Sequence, residues 1–167
     1  MINYIEKGHW LHEHIAASGH WLIQRDGVWI SDDDTAVQAL IDAYDPLPIA
    51  QADAITRVKT AAAEKYAQYA SSAPGKDAVY AAKQAEAQAH NVNGTVGPYM
   101  QARINRTGET AATVAAEWLA KSAAWNSLAA AIDAAQDNAT AQINACIAWQ
   151  DCSALADAAI AEIEALG

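Results

Sequence analysis

The stretch Glu109–Trp149, ETAATVAAEWLAKSAAWNSLAAAIDAAQDNATAQINACIAW, contains neither proline nor glycine and decides the fold of the chain. Trp118, Trp125 and Ile132 follow one another at intervals of seven residues. That spacing predicts a helix with one apolar stripe, about 60 Å long at about 1.5 Å per residue. Because this length is unusual in a compact domain, we expect either a break near Lys121–Ala124 or an oligomeric setting.

The apolar stripe of this stretch is imperfect. Lys121 and Gln142 fall at its inner positions, and Ile143 and Ile147 depart from the seven-residue repeat. The departure follows the 3.6-residue period of a straight helix better than the 3.5-residue period of a coiled coil. We therefore expect packing within the chain together with contacts to partners.

Alanine dominates the composition at about a quarter of the 167 residues, and phenylalanine is absent. Alanine has the highest helix propensity but buries little apolar surface. Six Trp and six Tyr must therefore supply much of the core. The composition predicts a mainly α fold, an Ala-rich helical bundle or set of helical hairpins, whose thin core favours a partner subunit.

Residues 1–45 differ in pattern and predict a small N-terminal α+β module. Asp26-Gly27 lies between two apolar runs, which is a strong signal for a β-hairpin near residues 20–30. Trp10–Ala17 is compatible with a strand or a short helix, and Met1–Ile5 with an extra strand. Because two or three short strands are not stable alone, they must pack on a helix or on another chain.

Acidic residues open the next helix, and prolines close it. Ser31 and Asp32–Asp34 suit the cap and the positive end of a helix dipole, and Asp45-Pro46-Leu47-Pro48 stops the helix. The joint at residues 45–49 then leads into an Ala-rich helical region at residues 49–167. Besides the long stretch, that region is predicted to hold four helices: 49–71, 76–90, 99–105 and one that Ser153 caps.

The charge of the chain bears on its partners. A net charge of −10 argues against nonspecific binding to nucleic acid and against an anionic membrane surface. No apolar stretch approaches the roughly 20 residues of a membrane span, and MINYIEKGHW lacks the pattern of a signal peptide. We expect a protein made in the cytoplasm, with neither nucleic acid nor membrane as a partner.

Cys146 and Cys152 are the two cysteines of the chain. Residues six apart on one helix face nearly opposite sides. The spacing therefore predicts two reduced thiols and no intrachain disulfide, as is usual for a protein made in the cytoplasm.

No residue pattern predicts a catalytic or metal site. Four of the five histidines fall within twelve positions: His9, His12, His14 and His20. A zinc motif that starts at His12-Glu13 would need a second histidine where Ala16 stands. Asp32–Asp34 lacks the frame of a calcium loop, and neither a GxSxG elbow nor a phosphate loop is present. We expect no enzymatic activity, no metal and no cofactor.

The large apolar side chains of the predicted helices and strands are candidates for packing rather than for ligand binding. Trp118 and Trp125 have small neighbours such as Ala115 and Ala124, which would let another backbone approach closely. The candidate packing and interface residues are Trp118, Trp125, Leu128, Ile132, Trp10, Trp21 and Trp29.

Five segments of the chain form a recognisable set: Gly27-Val28-Trp29, VQALIDAYDP at residues 37–46, Tyr80-x-x-Lys83-x-x-Glu86-Ala87, Pro98-Tyr99-Met100-x-Ala102, and Trp125 with Ile132. Together they resemble a group of small tail-associated proteins of tailed bacteriophages and prophages. The arginine that usually follows the Trp–Ile segment in this group is absent, and Gln136-Asp137 occupies that region.

The resemblance implies a non-enzymatic bacteriophage structural protein, a tail-fibre or baseplate-associated virion component that attaches through helical packing and the N-terminal module. It implies localisation in the virion tail after synthesis in the host bacterial cytoplasm. Other tail proteins, of the fibre or the baseplate, would be the partners in a homo-oligomer or hetero-complex. A tail-fibre assembly chaperone that is absent from the mature virion is the alternative, and a toxin-neutralising or anti-defence protein is a third class.

Overall fold

The computed structural model describes residues 2–69 and 76–167. The elements of this part of the chain are α1 (Trp10–Ala17), β1 (Leu22–Arg25), β2 (Val28–Ser31), α2 (Asp34–Ala43), α3 (Leu47–Tyr69), α4 (Lys76–Asn93), α5 (Pro98–Thr107), α6 (Ala111–Ala145) and α7 (Trp149–Ala165). The prediction of a mainly α fold with a small N-terminal β-hairpin is confirmed.

The chain divides into two compact units. The first unit comprises residues 1–57 and 139–158, and the second comprises residues 58–138 and 159–167. Helices α3, α6 and α7 therefore each contribute residues to both units. The division of the sequence into a module at 1–45 and a helical region at 49–167 stays a prediction.

The hairpin of the first unit is closed by a two-residue turn. Strands β1 and β2 pair antiparallel, with Arg25 opposite Val28, so Asp26 and Gly27 form the turn. Both turn residues have positive φ, 49° at Asp26 and 79° at Gly27, as a type I′ turn requires. Glycine and aspartate tolerate that backbone region better than most residues, which explains why this dipeptide marks the hairpin.

The apolar core of the first unit joins α1, the hairpin and α2. Its buried members are Ile2, Leu11, Ile15, Leu22, Val37 and Ile41. Trp10–Ala17, which the sequence left open, is a helix that buries Leu11 and Ile15 against α2 and the hairpin. The two strands are thus stabilised by packing on helices.

Helix α2 is capped at both ends. Asp33 is its N-cap, and its carboxylate accepts hydrogen bonds from the backbone N–H groups of Thr35 and Ala36, each at 3.0 Å. At the other end, Lys7 Nζ donates to the carbonyl oxygens of Ile41, at 2.7 Å, and Tyr44, at 2.6 Å. A cation on the terminal carbonyls is favourable because the helix dipole is negative there.

Helix α6 runs without a break for 35 residues. The predicted break near Lys121–Ala124 was wrong, because an Ala-rich segment without glycine or proline has no local reason to leave the helical conformation. The helix ends at Ala145, four residues before the end of the stretch that predicted it. Ile143 is fully buried, as the 3.6-residue drift of the stripe indicates.

A small core in the second unit joins α4, α5 and α6. Its buried members are Ala87, Met100, Val114 and Ala115. Glu86 of α4 caps α5, because its carboxylate accepts hydrogen bonds from the N–H groups of Tyr99, at 3.1 Å, and Met100, at 2.7 Å. Pro98 occupies the first turn of α5, where its missing N–H costs nothing.

Gly97→Ala is expected to destabilise the second unit by about 1–2 kcal/mol, measured by urea unfolding. A Cβ atom at residue 97 would overlap Cδ and Cγ of Glu86, so the carboxylate must withdraw and α5 loses its cap. In a Glu86→Ala background, Gly97→Ala is expected to cause almost no further loss in the free energy of unfolding. If Gly97→Ala destabilised the chain equally with and without Glu86, the coupling between Gly97 and the Glu86 cap would be contradicted.

Candidate functional site

An open groove of about 1170 Å³ lies in the second unit. We call it the aromatic groove, because four aromatic rings and one leucine line it: Tyr69, Tyr80, Trp118, Trp125 and Leu128. Helix α4 supplies Tyr80, α3 supplies Tyr69, and α6 supplies the other three. The apolar lining of the groove thus comes from three helices, and Arg103 of α5 also lines it.

Trp125 presents its ring to the aromatic groove from α6. It is 37% exposed, and its ring centroid lies 5.9 Å from that of Tyr66, edge-on, and 6.2 Å from that of Tyr69. Edge-to-face pairs at such distances are favourable because the positive edge of one ring meets the negative face of the other. The indole is therefore held on one side and accessible on the other.

Hydrogen bonds fix Tyr66, the neighbour of Trp125. The hydroxyl of Tyr66 donates to Asp133 Oδ1 at 2.6 Å and also lies 3.0 Å from the carbonyl oxygen of Ala129. The bond to the Asp133 carboxylate, together with desolvation, raises the pKa of Tyr66 to about 12. This bond ties α3 to α6 beside the groove.

Asp133→Asn is expected to return the pKa of Tyr66 from about 12 toward its ordinary value of 10. Because the folded pKa is raised, the contribution of the neutral hydroxyl to stability is present below pH 10 and is lost as the pH rises to about 12. A near-ultraviolet titration of the phenolates measures the shift. Asp137→Asn, one helical turn further along α6, is the matched control and should leave the titration unchanged.

The amine of Lys83 lies between two rings of the aromatic groove. Its Nζ is 5.7 Å from the ring centroid of Tyr80 and 5.6 Å from that of Trp118. Both distances are within the range of cation–π attraction. Among the residues that the structure describes, Lys83 has no carboxylate partner. Lys83 thus carries a positive charge that this part of the chain does not neutralise.

The other cations of the groove are neutralised within the unit. Arg103 bonds to Glu109, with Nε 2.6 Å from Oε2, and to Glu117, with Nη2 3.1 Å from Oε2. Lys121 contacts the other oxygen of Glu117 at 2.5 Å. The bond from Arg103, followed by that from Thr107, lowers the pKa of Glu109 to about 2. The bond from Lys121 is the main cause that lowers the pKa of Glu117.

A second exposed apolar surface lies on the hairpin of the first unit. We call it the hairpin outer face; its apolar residues are Trp21, Ile23, Val28 and Ile30, and Arg25, which pairs with Val28, shares it. Trp21 is 47% exposed, Ile23 43% and Val28 47%, while Ile30 pairs with Ile23 across the sheet. The solvent side of a two-stranded sheet is ordinarily polar. An apolar outer side is therefore a candidate contact surface.

A polar clamp holds the base of this hairpin. The carboxylate of Asp32 accepts the backbone N–H of Trp21 at 3.0 Å and contacts His20 Nδ1 at 2.9 Å. The hydrogen bond from Trp21, followed by that from His20, lowers the pKa of Asp32. The clamp joins the residues before β1 and after β2, so it fixes the register at the open end.

The structure separates the predicted packing residues into four environments. Trp118, Trp125 and Leu128 meet in the aromatic groove, whereas Ile132 is fully buried. In the first unit Trp21 is exposed. The other two tryptophans are half-buried, each between two rings. Trp29 stacks on Tyr4 at 4.1 Å and lies 5.5 Å from His12. Trp10 meets Trp149 edge-on at 6.5 Å and lies 4.1 Å from His9.

Tyr80 and Lys83 are groove residues that the sequence did not single out as site residues. They stand three apart on α4, so they lie on one helix face, and that spacing was the available signal. What the sequence could not supply is the pairing of this face with Trp118 of α6.

The described residues contain no cluster of His, Cys, Asp and Glu that could hold a metal ion. None of the helices in residues 2–69 and 76–167 is long and apolar enough to cross a membrane. The aromatic groove offers flat apolar surfaces beside the amine of Lys83, and Asp77 also lines it. The surfaces around Lys83 suit apolar side chains next to an anion. Comparison with protein-family models, with curated proteins and with solved structures finds no match for the chain.

Proposed function

We propose that the chain is a non-enzymatic structural protein of a bacteriophage tail, a component of the virion associated with the tail fibre or the baseplate. The motif resemblance supports the tail assignment. The observation that carries the binding role is the aromatic groove, where Trp125 and Tyr80 are exposed beside Lys83. Exposed aromatic side chains in a concave surface are typical of protein contacts.

The partner at the aromatic groove is a segment of another tail protein that carries a carboxylate next to an apolar side chain. Charge complementarity supports this occupant, since Lys83 lacks a carboxylate partner within the described chain whereas Arg103 and Lys121 have theirs. A carboxylate at the Lys83 amine would neutralise it in a partly desolvated place, where ion pairs are stronger than at an open surface. The apolar neighbour would cover the exposed face of Trp125.

The N-terminal module supplies a second attachment surface in this proposal. Three side chains of the hairpin outer face, Trp21, Ile23 and Val28, are each more than two-fifths exposed. Their burial against a tail protein would contribute apolar area that the chain alone leaves in water. Attachment at two surfaces would also increase avidity in the assembled particle.

Quantitative mass spectrometry of purified virions tests the proposal. A permanent tail component is expected in many copies per particle, at a constant ratio to the fibre or baseplate proteins. Consistent absence from the particle, with the chain bound to fibre protein in infected cells, would contradict the proposal and support the assembly chaperone. Absence from both would contradict any tail role.

A further inference from the structure

The turn between α6 and α7 brings the two cysteines of the chain together. Helix α6 ends at Ala145 and α7 begins at Trp149, so the chain leaves the helix between Cys146 and Cys152. The expectation that these residues face opposite sides of one helix was wrong for this reason. In the first unit, the residues form one thiol pair at the start of α7.

Both sulfur atoms of the thiol pair meet the same carbonyl group. Cys146 Sγ lies 2.9 Å from the oxygen of Ala148, and Cys152 Sγ lies 3.9 Å from it. Burial first, and then the neighbouring Cys146 thiol, raises the pKa of Cys152 to about 11. Neither cysteine is part of a disulfide in the structure.

A side chain of α3 holds this turn in place. Gln51 Nε2 donates to the carbonyl oxygens of Ile143, at 3.1 Å, and Cys146, at 3.2 Å. These carbonyls belong to the last turn of α6 and to the residue after it, where intrahelical donors run out. The Ile143 carbonyl also accepts the N–H of Cys146 at 3.1 Å, which closes the helix end. The amide therefore stabilises the conformation that places Cys146 beside Cys152.

We propose that Cys146 and Cys152 form an intrachain disulfide with a low-molecular-weight disulfide, such as oxidised glutathione, as the oxidant, and that this bond locks the α6–α7 turn. The proposal does not depend on the tail function. It makes the turn a redox-sensitive point in a chain that contains no other cysteine.

The reaction proceeds through two thiol–disulfide exchanges. The Cys146 thiolate attacks one sulfur of glutathione disulfide, the S–S bond breaks, and one glutathione thiolate leaves. The Cys152 thiolate then attacks Cys146 Sγ, forms the Cys146–Cys152 bond and releases the second glutathione. The two protons of the protein thiols end on the two glutathione thiols. The protein pair loses two electrons, which reduce the glutathione disulfide.

Burial determines the order of the two steps. Cys146 is half-buried, whereas Cys152 is 1% exposed, so Cys146 meets the oxidant. The second step needs the Cys152 thiolate, which its raised pKa makes scarce at neutral pH. The rate of ring closure is therefore expected to rise about tenfold per pH unit between pH 7 and 9.

Oxidation of the full-length chain in glutathione buffers tests the proposal. The expected product is a monomer that has lost both free thiols and two hydrogen atoms of mass. Cleavage before Asp151 then yields two fragments that stay joined until a reductant is added, because this bond lies between the cysteines. Persistent glutathione adducts, intermolecular dimers or two unreacted thiols under excess oxidant would each overturn the proposal.

Single-cysteine variants and the thermal midpoint sharpen the test. Cys152→Ser is expected to stop at a glutathione adduct on Cys146, whereas Cys146→Ser is expected to leave the buried Cys152 unreacted. The linked protein should melt about 5 °C higher than the reduced one, since the bond closes a short loop. An unchanged midpoint in fully linked protein would overturn the locking of the turn.

Discussion

Ile132→Ala is expected to destabilise the second unit by roughly 2–5 kcal/mol, the range for truncating a fully buried isoleucine. Ile132 is 0% exposed in α6, so its removal leaves a cavity that surrounding helices fill only in part. The Ala-rich composition increases the expected loss in free energy of unfolding, because alanine side chains have no flexible atoms that could move into the cavity. Urea unfolding followed by tryptophan fluorescence measures the change.

Ile147→Ala is the chemically matched control. The same three carbon atoms are removed, but Ile147 is 93% exposed in the turn between α6 and α7. Its truncation is expected to change the free energy of unfolding by less than about 0.5 kcal/mol. A loss for Ile132→Ala as small as that expected for Ile147→Ala would contradict the burial of Ile132. A large loss for Ile147→Ala would mean that Ile147 is covered in solution.

The contrast between these two isoleucines shows where sequence reasoning succeeds. A periodic apolar stripe predicts α6 and the burial of Ile132, because helix geometry alone relates residues seven apart. The end of α6, in contrast, could not be predicted from the sequence. Cys146-Ile147-Ala148 contains no glycine, proline or capping residue, so no local signal marks the turn. Tertiary hydrogen bonds from Gln51 to the carbonyls at the helix end help to stabilise it.

Short sequence motifs were sufficient to predict the features that depend on the conformation or hydrogen bonding of a few neighbouring residues. Asp26-Gly27 predicted the hairpin because its two residues tolerate positive φ, and Asp33 acts as the cap expected from the acidic run. These features need no information about distant residues. The prediction of a mainly α fold, which is confirmed, likewise rested on a local property, the high helix propensity of alanine.

Sites that depend on distant residues could not be predicted. The aromatic groove joins Tyr80 and Lys83 of α4 to Trp118 of α6, across more than thirty positions of sequence. A single sequence contains no signal that pairs two such helix faces. The sequence also failed to predict the thiol pair, because the proximity of its two cysteines depends on a turn that no local motif marks.

Trp125→Ala together with Lys83→Ala is expected to lower the copy number of the chain in purified virions by at least tenfold, if the proposed tail function is correct. Truncating one well-placed tryptophan at a protein interface commonly costs about 2 kcal/mol or more, a factor of about 30 in affinity. Removal of the Lys83 amine would weaken binding further, because the proposed ion pair with the partner carboxylate would be lost. Quantitative mass spectrometry of particles from phage that carries the variant measures the effect.

Two further variants separate lost binding from lost folding. Val92→Ala on α4, 85% exposed and outside the groove, is the control and should leave the copy number unchanged. Lys83→Glu keeps a long, charged side chain but reverses the charge, so a partner carboxylate would repel it. The copy number of the Lys83→Glu chain should fall below that of the unaltered chain, while circular dichroism shows the same helix content. A Lys83→Glu chain that is folded and fully incorporated would contradict an acidic partner at the groove.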